Sequence, residues 1–335
     1  MLPNAIKAGL DRLLRAWFPA PRTEPLSLDE ALPWLLPKVR PRFNWESLRL
    51  RTDRPVSEFR PLADIFALSL VVDHPDGVLE VQAADLERWH TDFDRLLQKA
   101  RTNLLARGAE EGFLRMGPGR FRSTWRDSLD GSRLLLPGVL RRLELDGDPV
   151  VVLPNRDTLL VVGSEDAPAL GWALAGALEF LEADPGALNG CPLRLRHYQW
   201  EPFLLGEGHP ARNLLGRLQR RRLRDEYARQ KALLDQRHGL AGRPITVAPF
   251  QLERTAEGQA ASYTIWSPDQ GDAWLPEADR LCLAWEAEGR RQRAWIPWET
   301  VRGCLGPLLE PVGLFPERHR FKERPGNELI RSLVG

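Results

Sequence analysis

Cysteine is nearly missing from this chain: Cys191, Cys282 and Cys304 are the three in 335 residues, far apart and in no CxxC pair. That spacing excludes a disulfide framework and a thiolate zinc site, and it suits a reducing compartment. Long apolar runs are missing as well. No stretch approaches the roughly 20 apolar residues that a bilayer-crossing helix needs. The N-terminus has neither a long apolar core nor a small-residue cleavage pattern. Residues Ile6–Phe18 read instead as a short amphipathic helix ended by Pro19 and Pro21. The expectation is a cytoplasmic protein with no membrane partner.

An excess of one charge sign is also absent. Lys and Arg number 47 against 46 Asp and Glu, a net charge of +1, whereas a nucleic-acid coat or a membrane-surface protein is usually more basic. Any such function must rest on a local patch. Catalytic signatures are lacking too. His74, His90, His197, His209, His238 and His319 show no HExxH or HxH spacing. Gly117-Pro118-Gly119-Arg120 lacks the Lys-Ser/Thr of a phosphate loop, and no G-x-S-x-G surrounds Ser123 or Ser128. No metal and no cofactor is expected, and no catalytic residue is assigned.

What is present has ordinary globular composition, 43% hydrophobic and 28% charged, which argues against general disorder. The length suggests two domains at about 150 residues each. Ser27 and Glu30 form a capping-box pattern for a short helix over Ser27–Leu36. Asp64–Val72 reads as a buried strand stopped by Asp73-His74-Pro75-Asp76-Gly77. Leu86, Trp89, Phe93, Leu96, Leu97, Ala100 and Leu104 follow helical spacing, with Thr91 and Asp94 able to cap a restart near His90. A short strand is expected around Gly119–Arg126 and a helical stretch over Asp130–Leu143, interrupted at Pro137-Gly138.

Pro149–Leu153 and Thr158–Val162 are two apolar β runs joined by Pro154-Asn155-Arg156-Asp157, a tight hairpin by its turn residues. Apolar on both faces, it should lie centrally in a sheet covered on each side. Ser164 or Asp166 caps a following helix with Pro168 in its first turn, and Leu193–Gln199 is a further strand. From Gly208 to His238 nine Lys/Arg residues crowd one long helix, ended at Gly239 and Gly242. Beyond it, short β runs over Ile245–Leu252, Tyr263–Trp266 and Leu281–Trp285 lead to a Pro-broken, partly helical tail. The expected class is α+β: a mixed or antiparallel sheet with a central hairpin and packed helices. The expected divisions are an N-terminal helix and linker (1–26), an α+β domain (27–205), a basic connecting helix (206–239) and a small β-rich C-terminal domain (240–335).

Asp85-Leu86-Glu87-Arg88-Trp89, Ala100-Arg101-Thr102-Asn103-Leu104 and Asp148–Asp157 with Leu159-Leu160-Val161 together resemble the YtpQ-like family of uncharacterised bacterial proteins. The order strand, helix, hairpin, helix, strand is similar as well. The resemblance covers roughly residues 27–204 and implies the fold. It implies no activity and no catalytic residues, and it does not reach residues 205–335.

Three groups of residues are candidates for function. Asn155, Arg156 and Asp157 at the hairpin tip either present charge to a ligand or simply close the turn. Arg217, Arg220, Arg221, Arg224 and Lys231 fall within about a 100° sector of the long helix. They are either an anion-binding stripe or a solvated face. Aromatics for stacking are scarce there, with Tyr227 alone. Trp295, Trp298, Arg291 and Arg293 set aromatics beside cations, either a partner surface or the core of a small β-rich domain. The leading expectation is a non-catalytic binding or regulatory protein acting through this C-terminal segment on a protein partner. A nucleic-acid-associated protein using the basic helix is the first alternative. The second is an enzyme using Asp127, Asp130 or Asp157.

Overall fold

The computed structural model describes residues 25–335 apart from 53–56, 76, 109–111, 184–187, 255–259, 268–270, 288–289, 324, 327–328 and 330–335. The helix expected over Ile6–Phe18 lies outside the described residues. The chain divides into two compact units, Met1–Trp45 with Pro55–Leu218, and Glu46–Arg54 with Gln219–Gly335. Both combine helices with antiparallel or mixed sheets, an α+β fold.

In the first unit Leu28–Ala31 forms α1. Ser27 Oγ accepts from the Glu30 amide at 3.4 Å, and the Glu30 carboxylate accepts from the Ser27 amide at 2.9 Å. The capping box is therefore closed in both directions. The helix is shorter than its sequence signal: after a tight 3-10 turn at Leu32–Trp34, the chain extends as β1, Leu35–Pro41. Pro37 and Pro41 disguise this strand, and they are tolerated because β1 is an edge strand.

Helix α2 (Arg42–Arg51) leads to β2 (Phe59–Leu62), β3 (Phe66–His74) and β4 (Gly77–Glu80). β1 pairs one side of β3, while β2 and β4 pair the other in succession, all antiparallel. Side chains alternate across this sheet. Leu35, Val39, Leu68, Leu70 and Val72 enter the main core. Leu36, Lys38 and Arg40, in register with Val71, Ser69 and Ala67, point the opposite way.

The long helical pattern splits into α3 (Ala83–Arg88) and α4 (Phe93–Ala106), with His90 in the left-handed region at φ +48°. The restart is capped by Asp92, not Thr91, because Asp92 Oδ1 accepts from the Arg95 amide at 2.8 Å. Trp89 Nε1 donates to the Leu26 carbonyl at 2.9 Å, and Asn103 Nδ2 donates to those of Leu32 and Leu35 at 2.8 and 2.9 Å. Asn103→Leu is expected to cost about 1–3 kcal/mol, the penalty for stranding part-buried acceptors. Urea unfolding of the variant checks it.

A six-stranded antiparallel sheet follows, built from β5 (Phe113–Gly117), β6 (Arg120–Ser123), β7 (Pro149–Asn155), β8 (Thr158–Gly163), β9 (Leu193–Arg196) and β10 (Gln199–Pro202). Its order is β10-β9-β7-β8-β6-β5, so the hairpin is central. Between β6 and β7 lie a 3-10 helix at Asp130–Leu135 and the short α5 (Pro137–Leu140). The hairpin turn is tighter than its four turn-forming residues suggest. Asn155 pairs with Thr158 after a register shift beyond Val152, leaving Arg156-Asp157 as the loop. Val150, Val152, Leu160 and Val162 pack with helix α6 (Ala167–Ala183), while Val151, Leu153, Leu159 and Val161 enter the main core. Asp166 is the cap of α6, accepting from the Ala169 amide at 2.9 Å. The basic helix α7 runs Arg212–Leu240.

Among its described residues the second unit holds two four-stranded sheets. One is β11 (Thr246–Val247), β14 (Ala273–Pro276), β18 (Arg318–Phe321) and β17 (Leu309–Pro311), in that order. The other is β12 (Gln251–Arg254), β13 (Ala260–Trp266), β15 (Arg280–Ala287) and β16 (Arg290–Pro297). Trp266, Leu275, Leu281, Leu283 and Ile296 form its core with Trp298, Val301 and Leu305 of α8 (Trp298–Leu305). No helix among the described residues is long and apolar enough to cross a membrane.

Candidate functional site

The polar face of the β1–β3 sheet is unusual for a strand pair this deep. Its edge carries Lys38 and Arg40, two residues apart and therefore on one side. Arg40 is 3% exposed and pairs with Glu80 of β4 at 2.8 Å, and Ser69 Oγ donates to the same carboxylate at 3.2 Å. In front of these residues lies a cavity of about 280 Å³, lined among others by Lys38, Arg40, Asp73, Arg107, Asp127 and Arg156. Three separate elements close it: the end of α4 with Arg107, the loop before the 3-10 helix with Asp127, and the hairpin tip with Arg156.

The loop wall is rigid. Asp127 takes a bidentate pair from Arg133 at 2.8 and 2.9 Å and accepts from the Leu129 amide at 3.0 Å. Burial pushes its carboxyl up, but the hydrogen bonds and charge of Arg133 reverse this and hold it below the usual carboxylate value. Arg133 is buried and stacks over Trp125 at 4.1 Å, and Trp125 Nε1 donates to the Gly108 carbonyl at 2.9 Å. Gly108 sits at φ +81°, where an added Cβ would lie 2.5 Å from the Trp125 ring. Arg126 and Ser128, on either side of Asp127, also hold positive φ, at +52° and +64°. Such backbone strain persists only where surrounding contacts fix it.

Charge in this cluster is nearly matched. Arg40 has Glu80, Arg133 has Asp127, Arg156 has Asp157 at 3.4 Å, and Arg107 pairs with Asp73 while lying 3.9 Å from Asp127. Among the described residues Lys38 has no ion-pair or hydrogen-bond partner. Burial, reinforced by Arg40 and opposed by Glu80 and Asp73, pushes its ammonium from 10.5 down to about 8. A second cavity, of about 480 Å³ in the C-terminal unit, is lined by Trp266, Asp272, Glu310, Arg320 and Lys322. There Arg320 pairs with Glu310, and Lys322 donates to the Pro307 carbonyl at 3.2 Å.

The residues singled out by sequence divide sharply. At the hairpin tip, Asn155 Oδ1 accepts from the Asp157 amide at 3.0 Å, and Asp157 accepts from Ser128 N and Oγ at 2.9 and 3.2 Å. These two close the turn and tie it to the loop, while Arg156 lines the cavity. Asp127, Asp130 and Asp157 do come together, but Arg133 and Ser128 hold Asp127 and Asp157. Asp130 is buried, its Oδ2 accepting from the Asp127 amide at 3.3 Å and its Oδ1 without a partner.

On α7, Arg220 pairs with Asp279 (3.3 Å), Arg221 and Arg224 with Asp225 (4.0 and 3.0 Å), and Lys231 with Asp235 (2.8 Å). Arg217 is exposed. In the C-terminal segment Trp298 is 7% exposed and belongs to the core, so it is not an interface residue. As the first residue of α8, it turns its ring inward to pack with Val301 and Leu305. Trp295 is 44% exposed, meets Tyr263 edge-on at 5.2 Å and carries Arg280 at 5.0 Å over its ring. Arg293 is exposed on the same strand; Arg291 pairs with Glu286 in the backbone ladder, and its side chain lies outside the described residues.

Lys38, Arg40 and Arg107 escaped sequence reasoning. The available signal was Lys38-Val39-Arg40 between Leu35-Leu36-Pro37 and Pro41, two charges at strand spacing. Among the described residues no three His, Cys, Asp or Glu side chains gather to hold a metal ion. No family model, curated protein or solved structure matches this chain.

Proposed function

We propose that this is a binding protein whose N-terminal unit holds a small anionic ligand, bearing a carboxylate or phosphate group, in the Lys38 cavity. The observation that carries this reading is Lys38 itself, an unmatched cation in a cluster where every arginine has a carboxylate. Holding it charged opposes folding by up to about 3 kcal/mol, at about 1.4 kcal/mol per pKa unit. An anion in the cavity offsets that cost, so the energy lost from folding reappears as affinity. Arg107 and Arg156 supply further donors, and arginine forks suit planar carboxylates and phosphates.

The expected result is that inorganic phosphate or a small dicarboxylate binds the full chain, with Lys38→Met weakening the affinity at least tenfold. The same substitution should raise the melting temperature by several degrees at pH 7. The native pKa, about 8, lies below the unfolded value of 10.5. The stabilisation is therefore full below pH 8 and fades as the pH rises through 10.5. Affinity of the parent should fall between pH 7 and 9, as Lys38 loses its proton, and that of Lys38→Arg should not. Calorimetry showing equal binding by parent and Lys38→Met sinks the proposal.

A second reading is favoured by the half-exposed Trp295, flanked by Tyr263, Arg280 and Arg293. Aromatic and arginine side chains of this kind anchor protein interfaces, and this face is our proposal for a protein partner. Trp295→Ala should abolish recovery of that partner while leaving phosphate binding intact. The basic helix supports nucleic-acid binding less well, since Arg220, Arg221, Arg224 and Lys231 already face carboxylates. A cytoplasmic location and kinship of residues 27–204 with the YtpQ-like family remain part of the proposal. The low cysteine content supports the first, and the quoted motifs support the second.

A further inference from the structure

We infer that Lys38 is a carbonyl-reactive lysine, whose Nζ condenses with the aldehyde or keto group of a small oxo-acid held in the cavity. The inference rests on the anion reading above and adds a covalent step to it. Three features of the cavity support it. Among the described residues Lys38 has no carboxylate partner to hold its proton, unlike Lys231 with Asp235. It sits on a strand, whose backbone is fixed by pairing with Ser69 of β3. The cations that face it, Arg40 on its own strand, Arg107 at the end of α4 and Arg156 at the hairpin tip, can hold an anionic group beside the reacting carbon. The carboxylates around it, Glu80, Asp73 and Asp127, are occupied by Arg40, Arg107 and Arg133.

Desolvation and a neighbouring cation are the two environments that activate a lysine as a nucleophile, and Lys38 has both. Before an anion binds, the free-amine fraction at neutral pH exceeds that of an ordinary lysine by roughly two to three orders of magnitude. The step is balanced without any oxidant. The neutral amine's lone pair forms the C–N bond and the carbonyl π pair moves to oxygen, which takes up the proton that the nitrogen then gives up. The resulting carbinolamine loses water, leaving an imine at Nζ.

Lysine is scarce enough for a clean test: Lys7, Lys38, Lys99, Lys231 and Lys322 are the five in the chain. Glyoxylate with cyanoborohydride converts any imine to a stable secondary amine, which peptide mass spectrometry locates. Lys38 should be labelled at least tenfold faster than the other lysines. Acetaldehyde, which lacks the anion, should show no such preference, and inorganic phosphate should slow the reaction. Arg156→Ala should reduce labelling at Lys38, and Lys38→Arg should leave only the slow background at the remaining lysines. If phosphate binds the parent but glyoxylate labels all lysines equally, the covalent inference fails and the anion reading stands. If neither phosphate binding nor selective labelling is seen, both fail together.

Discussion

Asp127→Ala is expected to destabilise the N-terminal unit by about 3–5 kcal/mol, the cost of leaving a buried cation without its partner. Arg133 is 1% exposed, and both oxygens of Asp127 are engaged with its guanidinium. Its remaining contacts, the Arg107 carbonyl at 3.2 Å and the Trp125 ring, cannot replace a carboxylate. The substitution also frees the Leu129 amide, which Asp127 now accepts from. Because the native pKa of Asp127 lies below its ordinary 3.8, its contribution is complete above that value. It is lost as the pH falls through the native pKa. Parent and Asp127→Asn should therefore differ most at neutral pH and converge in strong acid. Urea unfolding at several pH values reads this directly, and an Asp127→Ala protein within 1 kcal/mol of the parent would refute the assignment.

Much of the first unit was legible because its strongest elements obey one rule each. The hairpin is apolar on both faces, and the structure places it between two cores. The α4 stripe from Phe93 to Leu104 follows helical spacing and is buried at those positions. The stretch from Asp130 to Leu140 breaks at Leu136, just before Pro137, as the ring of proline requires. Where two rules compete, local reading failed. Prolines 37 and 41 count locally against a strand, and none was expected here, yet β1 pairs β3 over seven residues, because an edge strand can spare the amide that proline lacks. Leu193–Gln199 reads as one strand, but His197 and Tyr198 take positive φ, so β9 ends at Arg196 and β10 turns back on it from Gln199.

The site was legible only at one corner. Arg156 stood out because hairpin tips concentrate polar residues, and it does line the cavity. Its neighbours Asn155 and Asp157 do what turn residues ordinarily do, closing the loop through backbone amides. Lys38 and Arg107 lie 69 positions apart along the chain and meet only because α4 packs on β1. That kind of convergence depends on long-range pairing, which neither periodicity nor spacing records. The α7 stripe shows the converse. Its arginines share a face by helical geometry, but the carboxylates that neutralise them come partly from Asp279, far along the chain.

Arg318→Leu is the corresponding expectation for the C-terminal unit, a loss of about 3–5 kcal/mol. Arg318 is fully buried and has no carboxylate partner among its hydrogen bonds. Its guanidinium donates to Gln230 Oε1 at 2.5 Å and to the carbonyls of Ala248, Trp274 and Tyr227 at 2.7, 3.1 and 3.4 Å. Two effects oppose each other. Burial lowers its pKa from the ordinary arginine value to about 10, so removing the cation returns about 3 kcal/mol. Against this stand four hydrogen bonds from a charged donor, each worth about 1.5–3 kcal/mol, and the acceptors on Gln230 and Ala248 left bare. The second effect is larger. Gln230 and Tyr227 also bind the Pro316 and Glu317 carbonyls, at 2.8 and 2.7 Å, so the loss spreads along the segment entering β18. Arg318→Lys should fare no better, because one ammonium keeps the burial cost without the planar fork that reaches several carbonyls. Hydrogen exchange at the amides of β14 and β18 should quicken in both variants. Unchanged protection there in Arg318→Leu would mean the buried guanidinium contributes nothing net to the fold.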